Sequence, residues 1–234
     1  MVKVKFTIIT LFQEALIPYL NSSMMWKAQD KGIVEFDFVD LREYGLGPHK
    51  SVDDTPYGGG DGMLLRCEPA FAAIEAIQSQ DPAAKVILPT PAGQTWSQKV
   101  VRQFADHIEA KEEQHFIILC PHYEGYDERI LSLVDYPVCL GQYVLTGGEL
   151  PALIIIDSIV RLLPGVLGGK DSALIESFLT INLSSTHNTP SQPTFVAWKF
   201  QKFCFLDITA ILKNGALNIV AHIIRVYTFS VRIL

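Results

Sequence analysis

At 234 residues, 49% hydrophobic and 19% charged, the chain is long enough for one substantial α/β domain with a smaller appendage, and it is too apolar to be disordered. Its formal net charge of −6 is unevenly placed: residues 1–179 hold 14 Lys and Arg against 24 Asp and Glu, a net of −10, and residues 180–234 hold 5 against 1, a net of +4. An acidic body excludes loose, charge-driven binding of nucleic acid, so such a substrate must be gripped locally, by Lys99 and Arg102 or by Arg129 and Arg161.

In chain order, strand-like runs fall at about residues 2–10, 34–39, 85–89, 115–120 and 136–140, and helical patterns at about 13–30, 68–79, 97–108, 127–133 and 148–163. This alternation predicts an α/β fold with a mainly parallel sheet and helices on both faces. Between the second strand and the next helix, residues 41–66 form a long glycine-dense loop, and such loops inside compact domains usually carry function. Thr146-Gly-Gly-Glu149 is the clearest helix start: Thr146 is placed to cap, Glu149 to complete a capping box, and Pro151 suits the first turn. Pro164 and Gly165 end that helix, which leaves Arg161 where the helix dipole favours a cation. Residues 180–194 are rich in Ser, Thr, Asn and Pro and read as linker, and residues 195–234 show no clear period and no site.

Cys67, Cys120, Cys139 and Cys204 form no CxxC pair and read as reduced thiols of a cytoplasmic protein, with no zinc site implied. The basic N-terminus lacks the apolar run of a signal peptide, and no segment reaches the roughly 18 apolar residues of a membrane span, so no membrane partner is expected.

Three segments are rich in residues that a packed core does not require: Leu88-Pro-Thr-Pro-Ala-Gly93, Cys120-Pro-His-Tyr-Glu-Gly-Tyr-Asp-Glu-Arg129 and Leu140-Gly-Gln-Tyr-Val-Leu-Thr-Gly-Gly-Glu-Leu-Pro151. Each follows a strand-like run, and three such turns on neighbouring strands would enclose a small-molecule pocket. Gly58-Gly-Gly-Asp-Gly-Met63 could contact a ligand or merely form a tight turn; the missing lysine and the wrong glycine register exclude the nucleotide fingerprints and leave a phosphate hydrolase using Gly58–Gly62 and Glu124 unsupported. The acids after Tyr123 could equally decorate a helix N-terminus, and Arg161 could be an ordinary helix-end cation.

At these residues the chain resembles the bacterial tRNA (guanine-N1)-methyltransferase family of the TrmD type, in the knotted SPOUT class. The resemblance runs through Asp53-Asp-Thr-Pro-Tyr-Gly-Gly-Gly60, Tyr123-Glu-Gly125, Asp127-Glu-Arg129, Gly147-Gly-Glu-Leu-Pro151, Ile156-Asp-Ser158 and Pro164-Gly-Val-Leu-Gly168 to Glu176-Ser-Phe178, about three quarters of the chain in one collinear register. It implies a deep trefoil knot and a homodimer with its active site at the subunit interface. S-adenosyl-L-methionine would be held by Pro89, Gly93, Tyr123, Glu124, Gly125, Leu140, Gly141, Tyr143, Leu145, Gly147, Gly148 and Pro151. The implied reaction is methyl transfer to N1 of guanosine 37 in tRNA, with Glu176 as base, Arg161 stabilising charge, and Glu124 as a third catalytic residue. Tyr57, Gly58, Gly59 and Gly60 would meet the substrate, and magnesium is a further cofactor implied by the family.

The chain also departs from the family pattern: Glu176 stands where Asp is usual, His122 where Arg is usual, and Gln142 where an acid is usual. The expected domains are a methyltransferase domain over 1–168, an interdomain linker over 169–194, and an atypical tail over 195–234 replacing the family's tRNA-binding domain. That tail leaves an alternative open, a catalytically silent cofactor-binding or dimerisation module.

Overall fold

The computed structural model describes residues 3–111 and 114–167. Glu176, the expected linker and the expected tail lie outside the described residues.

Five parallel strands make the central sheet: β1 (Val4–Thr10), β2 (Val34–Asp40), β5 (Lys85–Thr95), β6 (Gln114–Leu119) and β7 (Tyr136–Cys139), in the order β2-β1-β6-β5-β7. A separate antiparallel pair, β3 (Asp53–Asp54) and β4 (Leu64–Leu65), brackets the glycine-rich loop. The α-helices are α1 (Ile17–Leu20), α2 (Ser23–Asp30), α3 (Cys67–Gln80), α4 (Gln98–Ala110) and α5 (Glu149–Val160).

Strand periodicity of two decides which side chain enters which core. Val4, Phe6, Ile8, Ile87, Phe116 and Ile118 face a core shared with α2, α4 and α5. Ile9, Val86, Leu88, Ile117 and Leu119 face the opposite core, which α3 covers with Ala70, Ala73 and Ile74. Helices therefore lie on both faces, as the alternation of elements predicts. In the first core, Phe6 sits in register with Phe36 and Phe116 and stacks on both, with centroids 6.1 and 5.8 Å apart. Such pairs fix strand register as well as filling volume.

Three local expectations are corrected. The helix expected over 13–30 is broken into a 3-10 turn and two short helices, with Pro18 inside α1 and Ser23 at a φ of +48° where α2 begins. The helix expected over 127–133 is a 3-10 turn (Glu128–Leu133), capped by the Asp127 carboxylate, which accepts from the Arg129 amide at 2.9 Å. The capping box at Thr146 does not form. Gly148 is the N-cap of α5 without a side-chain cap bond, and Glu149 turns inward, 8% exposed, to accept a hydrogen bond from the Thr10 hydroxyl at 2.8 Å. A buried carboxylate with a donor outweighs a solvent-exposed cap.

Candidate active site

β6, β5 and β7 are neighbours, so the segments leaving their carboxyl ends emerge side by side, where open parallel sheets place ligands. The first segment is a bulge in β5. Pro89 and Gln94 both pair with Val138, so residues 90–93 loop out of the ladder. Gly93 lies so close beneath this bulge that a Cβ would stand 2.4 Å from the Val138 nitrogen, and only glycine permits that approach.

The second segment follows Cys120, and Tyr123 adopts a φ of +70° there, a conformation costly for a non-glycine residue. The third follows Cys139 and enters α5 through Gly147 and Gly148. The segments are bonded to one another: the Tyr126 hydroxyl donates to Thr90 Oγ1 at 2.8 Å, and the Gly148 amide donates to the Pro121 carbonyl at 2.8 Å. They enclose one cavity of about 170 Å³.

All of the twelve cofactor residues expected from the resemblance line this cavity except Gly93, which supports its wall from behind. Nine further residues line it and are missing from that expectation, among them Thr90, Pro121, His122, Tyr126, Val138 and Cys139. All nine lie within or beside the quoted segments, and the signal that they join the wall is their place at strand ends or in the loops that follow the strands.

The lining combines apolar side chains (Pro89, Val138, Leu140, Leu145, Pro151) with four glycines, Gly125, Gly141, Gly147 and Gly148. Polar groups gather at one wall. His122 Nδ1 is buried without a hydrogen-bond partner among the described residues, 3.6 Å from Glu149 Oε2. A Cβ on Gly148 would stand 2.6 Å from Cys120 Cα, so this cradle depends on glycine. Burial, with a smaller contribution from the Glu149 carboxylate, pushes the Cys120 thiol well above its ordinary range. Burial also raises the Tyr123 phenol, reinforced by Asp53 and partly opposed by Arg42.

The glycine-rich loop reaches the rim. Met63 accepts from the Glu124 amide at 3.1 Å, Gly125 accepts from the Leu65 amide at 2.9 Å, and Gly62 packs against the Glu124 side chain. Tyr57 is fully exposed, and Gly58, Gly59 and Gly60 all have positive φ; none of the four lines the cavity. Glu124 does line it. Arg161 does not: it is the C-cap of α5, ten residues beyond Pro151, or roughly 15 Å along the helix axis. The structure thus brings Glu124 to the cavity and keeps Arg161 away from it within one chain. Among the described residues no group of three His, Cys, Asp or Glu side chains gathers in metal-binding geometry.

Fold and cavity define a parallel α/β domain with a ligand site at the carboxyl ends of three adjacent strands. A family model described as tRNA (Guanine-1)-methyltransferase TrmD matches residues 4–216, and the chain belongs to that family. The match passes through the expected linker and into the segment read as an atypical tail. Proteins described as tRNA (guanine-N(1)-)-methyltransferase in Listeria welshimeri serovar 6b and Latilactobacillus sakei subsp. sakei are each 46% identical, over 188 and 177 residues. Those alignments cover 79% of this chain and 74% of the first relative, and 75% and 70% for the second. The crystal structure of tRNA (m1G37) methyltransferase from Aquifex aeolicus superposes with a TM-score of 0.65 at 30% identity, covering 92% of this chain and 94% of that one. No helix among the described residues is long and apolar enough to cross a membrane.

Proposed function

We propose that the chain transfers a methyl group from S-adenosyl-L-methionine to N1 of guanosine 37 in tRNA, acting in the cytoplasm as a homodimer. The observation that carries this reading is the closure of three cross-bonded strand-end loops around one cavity in a member of this family. A nucleoside sulfonium needs an apolar shelf and close approach to loop backbone, and the lining supplies apolar side chains beside Gly125, Gly141, Gly147 and Gly148. A trefoil knot formed by the same loops belongs to this reading, as does a methyltransferase domain over 1–168 followed by a linker and tail.

When bound, S-adenosyl-L-methionine supplies an electrophilic methyl on a positively charged sulfur. Pro89, Leu140, Leu145 and Pro151 would hold its apolar parts and exclude water, while Gly147 and Gly148 let backbone approach closely. Guanine N1 carries a proton and becomes a nucleophile only once that proton leaves. Glu176, outside the described residues, is the proposed acceptor. Arg161 is the proposed partner for negative charge growing on the guanine oxygen. Its distance from the cavity of its own chain supports a site completed by a second subunit. Magnesium finds no gathered donor set of three His, Cys, Asp or Glu side chains among the described residues.

Leu150 and Ile154, one turn apart on α5, are 58% and 45% exposed, and Val144 in the loop before α5 is 92% exposed. An apolar stripe of this kind is what a subunit interface needs. Sedimentation of Leu150→Asp combined with Ile154→Asp should give a monomer where the native chain sediments as a dimer.

The decisive experiment incubates the full chain with methyl-labelled cofactor and unmodified tRNA carrying G36 and G37. Label on that one guanosine is expected. Its absence, with saturable S-adenosylhomocysteine binding intact, would favour the silent module. Gly148→Trp should abolish the binding itself.

A further inference from the structure

Arg42 lies in the 3-10 turn Leu41–Tyr44 directly after β2, and it is held in an unusual way. Arg66 is paired with Asp54 and Glu68, and Arg129 with Asp127. No carboxylate among the described residues lies within ion-pair distance of Arg42. Asp40, two residues earlier, spends its carboxylate on the Arg42 backbone amide at 2.9 Å, and the adjacent Glu43 forms no ion pair with it. The guanidinium instead sits over the Phe12 ring, its central carbon 5.2 Å from the centroid, and one Nη1 donates to the Leu11 carbonyl at 2.5 Å.

Both contacts fix the direction of the group without neutralising its charge. An exposed arginine side chain ordinarily keeps its rotamer freedom, and here the Phe12 ring and the Leu11 carbonyl offset the entropy lost in holding one still. The position is informative. Phe12 packs on His122 with ring centroids 4.9 Å apart, and His122 lines the cavity. Arg42 is therefore one aromatic ring removed from the cavity wall, on the rim that also carries Tyr123 and, through Glu124, the glycine-rich loop. In a body of net charge −10 over residues 1–179, a cation without an ion pair at the cavity rim favours the approach of a polyanion there.

We propose that Arg42 is a phosphate clamp: its guanidinium receives a backbone phosphate of the RNA segment that presents its base to the cavity. This rests on the methyl-transfer reading above. The guanidinium fork matches a phosphate in geometry, and the aromatic seat and carbonyl anchor pre-organise it for that contact.

The test uses the full chain and unmodified tRNA at several salt concentrations. Arg42→Gln should weaken tRNA binding about tenfold, seen in KM rather than kcat, and lower the slope of log affinity against log salt by about 1. Arg42→Lys, which keeps the charge, should restore the slope. Phe12→Leu, which removes the aromatic seat and leaves the cation, should fall between the native chain and Arg42→Gln in affinity. Unchanged affinity and slope in Arg42→Gln would overturn the clamp. So would loss of S-adenosylhomocysteine affinity in that variant, which would assign Arg42 to the shape of the cavity. If the native chain binds S-adenosylhomocysteine but no tRNA at any salt concentration, the methyl-transfer reading falls and the clamp with it.

Discussion

Thr10 ends β1 and Glu149 begins α5, 139 residues later, yet the hydroxyl of one donates to the carboxylate of the other at 2.8 Å. This buried bond ties the sheet to the helix that closes the cavity. Thr10 Oγ1 also accepts from the Phe12 amide at 3.0 Å, so the bond extends to the rim. Glu149→Ala removes the acceptor from Thr10 and the carboxylate facing His122, and should cost about 2–3 kcal/mol of stability in urea unfolding. Glu149→Gln retains an acceptor and should cost roughly half as much. Equal losses for the two variants would mean that the hydrogen bond is not what the carboxylate contributes.

Gly93 is a second place where one atom decides the wall. A Cβ there would meet the Val138 nitrogen at 2.4 Å and the Pro137 carbonyl carbon at 2.5 Å, both of them backbone atoms that cannot rotate aside. Gly93→Ala should therefore push β5 from β7, with a loss of about 2 kcal/mol or more. S-adenosylhomocysteine affinity should fall too, although Gly93 touches the cavity only through the strand it supports. Calorimetric titration beside thermal unfolding reads both quantities, and a stable variant with native affinity would refute the close-approach account.

Much of this was legible in the sequence because it is local. The five sheet strands follow from apolar runs, and the three loop segments from glycine and proline at strand ends. What escaped was non-local or energetically close. Thr146 and Glu149 have the spacing of a capping box, but Thr10, far away in sequence, competes for the same carboxylate and wins by burial. Residues 13–30 have helical periodicity, yet Pro18 and the left-handed backbone of Ser23 divide them. The resemblance places Gly93 at the cofactor, and its close approach to the Val138 and Pro137 backbone is a cross-strand relationship that sequence does not display. Arg42 carried no motif at all; its meaning comes from the ring beneath it.

Asp127 makes stability depend on pH. A hydrogen bond from Arg129, with further bonding from the Arg129 amide, lowers its carboxyl from an ordinary 3.8 to about 2. A carboxylate depressed in the folded state stabilises it fully above its unfolded value, and that contribution fades as pH falls toward about 2. Asp127→Asn should accordingly be less stable than the native chain at neutral pH, with the difference shrinking on acidification between about pH 5 and 2. Chemical unfolding at several pH values measures this, and a pH-independent difference would show that capping, not charge, accounts for the effect.

The three described cysteines should differ sharply in reactivity. Cys120 is 1% exposed and its thiol is pushed well above the ordinary range by burial and by Glu149, so it should resist alkylation. Cys67 is 3% exposed and raised chiefly by burial, and should resist likewise. Cys139 is partly exposed on the cavity wall, where its thiol donates to the Gly141 carbonyl at 3.5 Å. Brief iodoacetamide treatment followed by peptide mass spectrometry should label Cys139 ahead of the other two. Saturating S-adenosylhomocysteine should slow that labelling about tenfold or more, because a ligand bound a hundredfold above its dissociation constant leaves only about 1% of sites open. Labelling of Cys139 at the same rate with and without the ligand, under conditions where calorimetry shows it bound, would place the ligand outside this cavity.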